Sequence, residues 1–183
     1  MVHIPAPFQI AAMAGLALTL PGCAARAPAG AMPAPVAFAE AILYDGTGQR
    51  TGIATLRPAG GHLQGRVEVT GGLTPGAHGM HIHETGRCTL PDFASAGGHL
   101  NPDGKEHGFQ NPRGTHAGDL PMIQADSRGA AVMDLAFPAT LDVLLDMDGA
   151  ALVIHADADD MKSDPSGNSG GRVMCGVFYR KMP

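Results

Sequence analysis

From position 36 onward, apolar and polar residues alternate with a period of two in short runs: VAFAEAILY over 36–44, GIATLR over 52–57, LQGRVEV over 63–69 and AVMDLAF over 131–137. Successive side chains on a strand point to opposite faces, so this pattern predicts strands with one face in a core. Two later stretches, AALVIHA over 150–156 and RVMCGVFY over 172–179, are mainly apolar and predict two further strands. Asp45-Gly46, Gly60-Gly61, Gly71-Gly72 and the SRG of 127–129 punctuate the runs as turns. With HGMHIHE at 78–84 as a further strand, the total is seven or eight. The expectation is an all-β, eight-stranded Greek-key barrel or sandwich. Two segments, 85–120 and 157–171, fit no strand, and loops of that length in a compact domain are functional or disordered. Glycine and proline set turns throughout the first of them while His99, His107 and His116 recur along it, which favours an ordered, functional loop.

Composition narrows the class of partner. The 183 residues include 26 glycines and 15 prolines, no tryptophan and a formal charge of −5. Basic residues are scattered singly, so no stripe exists to neutralise a phosphate backbone, and nucleic acid is excluded as a partner. The apolar run 10–20 is too short to span a bilayer and leads into Leu20-Pro21-Gly22-Cys23, which resembles a bacterial lipoprotein signal. The expected organisation is a signal peptide over 1–22, lipidation at Cys23, a small, proline-rich tether over 23–35 and one folded domain over 36–183. The protein is then a periplasmic, membrane-anchored lipoprotein that meets the membrane only through its anchor. The segment before the apolar run lacks lysine and arginine, and a plain secretory signal with an incidental cysteine is the alternative. Setting Cys23 aside leaves Cys88 and Cys175, an even pair in an oxidising compartment, read as a disulfide; two reduced, buried thiols are the other reading.

Three of the nine histidines fall within 78–83. On a strand His81 and His83 face the same way with Ile82 opposite. An isolated H-x-H is as readily a surface pair, and a histidine such as His155 in an apolar strand is more often a satisfied core residue. Five further candidate ligands shift the balance: His99, His107 and His116 along one loop, Asp119 three residues after the last, and His155. Imidazoles suit copper and zinc, and a carboxylate among imidazoles suits zinc. Seven candidate ligands exceed the needs of one four-coordinate ion, so two metals are expected.

HGMHIHETGRC, SAGGHLNPDGKEHG, THAGDLP, ALVIHADADD and GNSGGRVMCGV, in this order and spacing, resemble the Cu/Zn superoxide dismutase family in its bacterial exported form. The resemblance implies copper at His81, His83, His99 and His155, and zinc at His99, His107, His116 and Asp119, with His99 bridging the two as an imidazolate that carries a proton in the reaction. It implies that Asp159 accepts hydrogen bonds from His81 and His107 without touching a metal, that Arg172 docks superoxide at the mouth of the copper channel, and that His78 ties strands together. Lys162 is either a second contributor to the field around that channel or a plain surface lysine. The family is a standard example of electrostatically steered association, which a chain of net charge −5 needs if it is to attract an anion.

Two rival readings belong to other classes. A copper-binding or copper-delivery module on the same fold is expected to lack a copper ligand or the channel arginine, and all five residues are present. A zinc hydrolase needs an open zinc position and a placed base, whereas this zinc set is complete. Oligomeric state, monomer or homodimer, is left open by the sequence.

Overall fold

A computed structural model describes residues 36–182; the signal over 1–22 and the whole tether over 23–35, Cys23 included, lie outside the described residues. The chain is all-β, with nine strands among the described residues: β1 (Phe38–Asp45), β2 (Arg50–Ala59), β3 (His62–Val69), β4 (Gly76–His78), β5 (Met80–His83), β6 (Ile123–Ala125), β7 (Ala131–Phe137), β8 (Ala151–His155) and β9 (Arg172–Lys181). One turn of 3₁₀ helix (Ala94–Ala96) and one of α-helix (Leu141–Leu144) are the helical elements among them. Seven strands form an antiparallel sheet in the order β5-β8-β9-β1-β2-β3-β7, and β4 pairs with β6. Since β4 runs into β5 and β6 lies beside β7, the curled sheet comes round towards closure.

Two features depart from the pattern reading. The HGMHIHE run is broken at Gly79, whose N–H donates to the Asp157 carbonyl and whose carbonyl accepts from the His155 N–H, both at 2.8 Å. A Cβ there would press against Ser169. Counting β4 and β5 as one interrupted run restores eight strands. The second departure is β6, three residues between a proline and a turn, too short for an alternation to register.

The alternating runs fill the barrel as expected. Ala39, Ala41 and Leu43 of β1, Leu63, Val67 and Val69 of β3, and Leu135 and Phe137 of β7 are buried in the main core. Each large apolar side chain so buried stabilises the fold by about 1.5–3 kcal/mol. The continuous apolar run of β8 has two destinations. Ala150, Leu152 and Ile154 enter the main core, while Ala151 and Val153 join Phe93, Ala96 and Cys175 in a second, smaller cluster on the outer face. Cys175 is disulfide-bonded to Cys88 there, with Cα atoms 5.8 Å apart, so the cysteine reading holds and the start of the long loop is fastened to β9.

Candidate metal centre

Met80 and Ile82 point into the main core, which leaves His81 and His83 on the outer face of β5. The loop that follows returns along this strand: Leu100 N–H donates to the Ile82 carbonyl, Ile82 N–H to Gly118 and Gly118 N–H to Leu100, each at 2.8 Å. Leu100 and Leu120 drop into the core beside Ile82. Their chain neighbours His99 and Asp119 are thereby turned outward, opposite His83 and His81. His155 ends β8, in phase with Ala151 and Val153, and completes the wall. Alternation around four core residues, Ile82, Leu100, Leu120 and Ile154, thus converges five metal-type side chains.

Four ring nitrogens in this cluster are buried and have no hydrogen-bond partner: His81 Nδ1, His83 Nε2, His99 Nε2 and His155 Nε2. Candidate ligand atoms of these four residues lie within 4.8 Å of one another. The opposite nitrogens are anchored. His81 Nε2 donates to Asp159 Oδ2 at 2.6 Å, His83 Nδ1 to the Gly97 carbonyl at 3.0 Å and His155 Nδ1 to the Gly170 carbonyl at 3.2 Å. Anchoring one nitrogen of a ring fixes the lone pair of the other, the arrangement that surrounds metal-binding histidines. Burial pushes His83 down to about 2, His155 to about 3 and His99 to about 4, and lowers His81 despite its bond to Asp159. These imidazoles are therefore neutral, with lone pairs to offer.

A second group is centred on Asp119 Oδ1. His99 Nδ1 and His107 Nδ1 lie 2.9 Å from it and His116 Nδ1 3.2 Å, with His116 Nδ1 also 3.3 Å from His99 Nδ1. The other oxygen, Asp119 Oδ2, accepts from Gly108 N–H, Thr115 Oγ1 and His116 N–H, which orients the carboxylate. His81 also falls near this group, but its Nε2 is committed to Asp159 and its free Nδ1 belongs with the four-imidazole set, so His116 is the third imidazole here. Burial works against charge at His107, yet its bonds to Asp119 and Asp159 outweigh it and raise the group to about 9. Both carboxylates sit well below the usual range despite burial, held there first by His107. The pair marks a place for positive charge.

Asp159 lies between the groups, accepting from His81 Nε2 through Oδ2 and with Oδ1 3.0 Å from His107 Nε2. Gly167, at φ +64°, lies against this carboxylate, and a Cβ there would collide with Asp159 Oδ1. His78 donates from Nδ1 to the His155 carbonyl at 2.7 Å, linking β4 to the end of β8, and takes no part in either cluster. Glu84 supports the loop by accepting from Gly98 N–H.

The four-imidazole group opens into a cleft of about 560 Å³ walled by His83, His155, Arg172, Lys105 and Asp164. Arg172 donates to the carbonyls of Phe93 at 2.7 Å and Gly97 at 2.6 Å. Those acceptors orient the guanidinium without cancelling its charge. The second cation of the wall is Lys105, whereas the exposed Lys162 does not line the cleft. No sequence signal separated these two lysines, because each lies in a loop whose path depends on the metal-type residues around it.

A family model described as copper/zinc superoxide dismutase matches residues 50–178. The chain belongs to this family. It is 44% identical over 145 residues to superoxide dismutase [Cu-Zn] 1 of Aquifex aeolicus, covering 75% of this chain and 85% of that protein. It is 50% identical over 114 residues to the superoxide dismutase-like protein YojM of Bacillus subtilis, a match that spans 58% of each chain. Among solved structures, a double mutant of a superoxide dismutase-like protein from Bacillus subtilis is similar with a TM-score of 0.71 and 40% identity, covering 75% of this chain and 95% of that one. The protein is accordingly a superoxide dismutase with copper and zinc as its cofactors, and its two side-chain clusters suit those ions.

Proposed function

We propose that this chain dismutates superoxide outside the cytoplasm, with copper held by His81, His83, His99 and His155, and zinc by His99, His107, His116 and Asp119. The observation that carries this reading is the set of four unpartnered ring nitrogens. Leaving a buried polar atom unsatisfied costs about 1–3 kcal/mol, and four converging on one point are accounted for together by a cation that takes their lone pairs. Bound there, copper supplies one-electron redox chemistry, taking an electron from one superoxide and passing it to a second, so that two superoxides and two protons give dioxygen and hydrogen peroxide.

The protein's own part begins at the cleft wall, where Arg172 offers an anion a charge that only carbonyls occupy. Lys105 adds to the local field against a net charge of −5. His99 is the ring with one nitrogen in each group, Nε2 among the four imidazoles and Nδ1 beside Asp119. This supports the reading that His99 would be the shared imidazolate, with Nε2 the atom that would take up and release a proton during turnover. Asp119, oriented by three donors, and the imidazoles of His99, His107 and His116 form a closed set suited to a structural zinc. A module that only stored copper would have use for the four nitrogens and none for a guanidinium fixed at their entrance.

Metal analysis beside a superoxide-consumption assay, with and without copper chelation, tests the proposal. The expected result is copper and zinc in equal amounts and activity that falls with copper removal. Rapid dismutation that persists after copper is stripped would overturn it. The signal at 1–22, lipidation at Cys23 and the tether at 23–35 supply the proposed route to the periplasmic side of a membrane.

A further inference from the structure

Every histidine of the two clusters has an outward nitrogen to be accounted for, except His99, whose two nitrogens both face inward. Asp159 receives those of His81 and His107, and the carbonyls of Gly97 and Gly170 receive those of His83 and His155. His116 Nε2 remains. The group facing it is Asp164, with Oδ1 3.7 Å away. The same oxygen accepts the backbone N–H of His107 at 2.7 Å.

We infer that Asp164 is a positioning residue for zinc: it fastens the loop 157–171 to the backbone of His107 and orients His116 through Nε2. The inference rests on the zinc assignment proposed above. With a metal on Nδ1, a neutral imidazole carries its single proton at Nε2, and the nearby carboxylate is the acceptor for it. A move of about 0.8 Å turns 3.7 Å into a charge-assisted hydrogen bond. Asp164 thereby does for His116 what Asp159, five residues earlier on the same loop, does for His107. The two loops also meet where Gln110 N–H donates to the Met161 carbonyl at 2.9 Å, but that bond reaches neither ligand ring. An exposed aspartate is ordinarily free to move. This one, 48% exposed at its side chain, is held by the backbone of a fully buried residue. Asp164, Pro165 and Ser166 also line the copper-side cleft, so the clasp fixes part of the wall an entering anion passes.

The test challenges the metal-loaded, full-length protein with graded chelator and measures the zinc and copper that remain, in wild type, Asp164→Ala, Asp164→Asn and His116→Ala. Removing an oriented carboxylate of this kind weakens metal affinity by about 10 to 100-fold. Asp164→Ala is expected to release zinc that much more readily while keeping its copper. Asp164→Asn should fall between, because its amide oxygen still accepts from His107 N–H. Nitrogen-15 histidine spectra with copper reduced should show a protected His116 Nε2–H in wild type that exchanges rapidly in Asp164→Ala. Zinc retention in Asp164→Ala within about twofold of wild type, or equal loss of both metals, would overturn the inference. If His116→Ala releases zinc while both Asp164 variants hold it, the role of Asp164 alone fails. If His116→Ala holds zinc as tightly as wild type, the ligand assignment fails and the clasp with it.

Discussion

Arg172 is hydrogen-bonded to carbonyls rather than to a carboxylate, so its charge stays available to an approaching anion, with Asp92 nearby offsetting part of it. Arg172→Lys keeps the charge and loses the two-carbonyl grip, whereas Arg172→Glu reverses it. Dismutation should fall further in Arg172→Glu, and raising salt should narrow the gap, because screening weakens attraction and repulsion alike. Stopped-flow rates at low and high ionic strength check this, and equal rates for all three proteins at low salt would remove Arg172 from the mechanism. Asp159 sits between His81, held in a strand, and His107, held in a loop, so its loss should be felt mainly on the zinc side. Asp159→Asn is expected to lower zinc affinity about 10 to 100-fold while most copper is retained, as read by metal analysis. The histidines and the two aspartates were legible in the sequence because residue type and spacing carried the resemblance. Lys105, Asp164 and the carbonyls of Phe93 and Gly97 were not, since their parts depend on where backbone and loop run in space.

Strand alternation made most elements legible, because a period of two with one face in a core leaves a plain trace. β6 and the break at Gly79 escaped it: a three-residue strand is too short for a period, and the break arises from hydrogen bonds to residues more than seventy positions away. The long loop acquires its shape in three ways, through Leu100 and Leu120 in the core, through backbone bonds to β5, and through Cys88–Cys175. The bridge spans 87 positions, for which chain-entropy estimates give about 4 to 5 kcal/mol, an upper figure where the reduced chain retains structure. Cys175→Ser should lower the melting temperature by several degrees. It should also weaken the salt dependence of the rate, because the Phe93 and Gly97 carbonyls that hold Arg172 belong to the stretch the bridge fastens. An unchanged melting temperature together with an unchanged salt dependence would refute this.

For the whole molecule, the proposed anchor at Cys23 and tether at 23–35 precede the folded domain in sequence, so membrane attachment and catalysis are expected to be separable. Cys23→Ser should shift the protein from the membrane to the soluble fraction with its specific activity intact. Intact-mass analysis of the mature chain decides the point, and an unlipidated chain starting elsewhere would contradict the anchor. The two halves of the metal centre differ in where they come from. Three of the histidines proposed for copper stand on strands, β5 and β8, that pair directly, whereas all four groups proposed for zinc lie in the segment from His99 to Asp119. On that assignment maturation is expected to have a direction: the paired strands present three of the four copper imidazoles before the loop is ordered, while a zinc ion finds its ligands only after the loop has settled. Deuterium uptake by metal-free protein should accordingly be slow at Val153, between β5 and β9, and fast across 104–116, and zinc added alone should slow the second region while leaving the first unchanged.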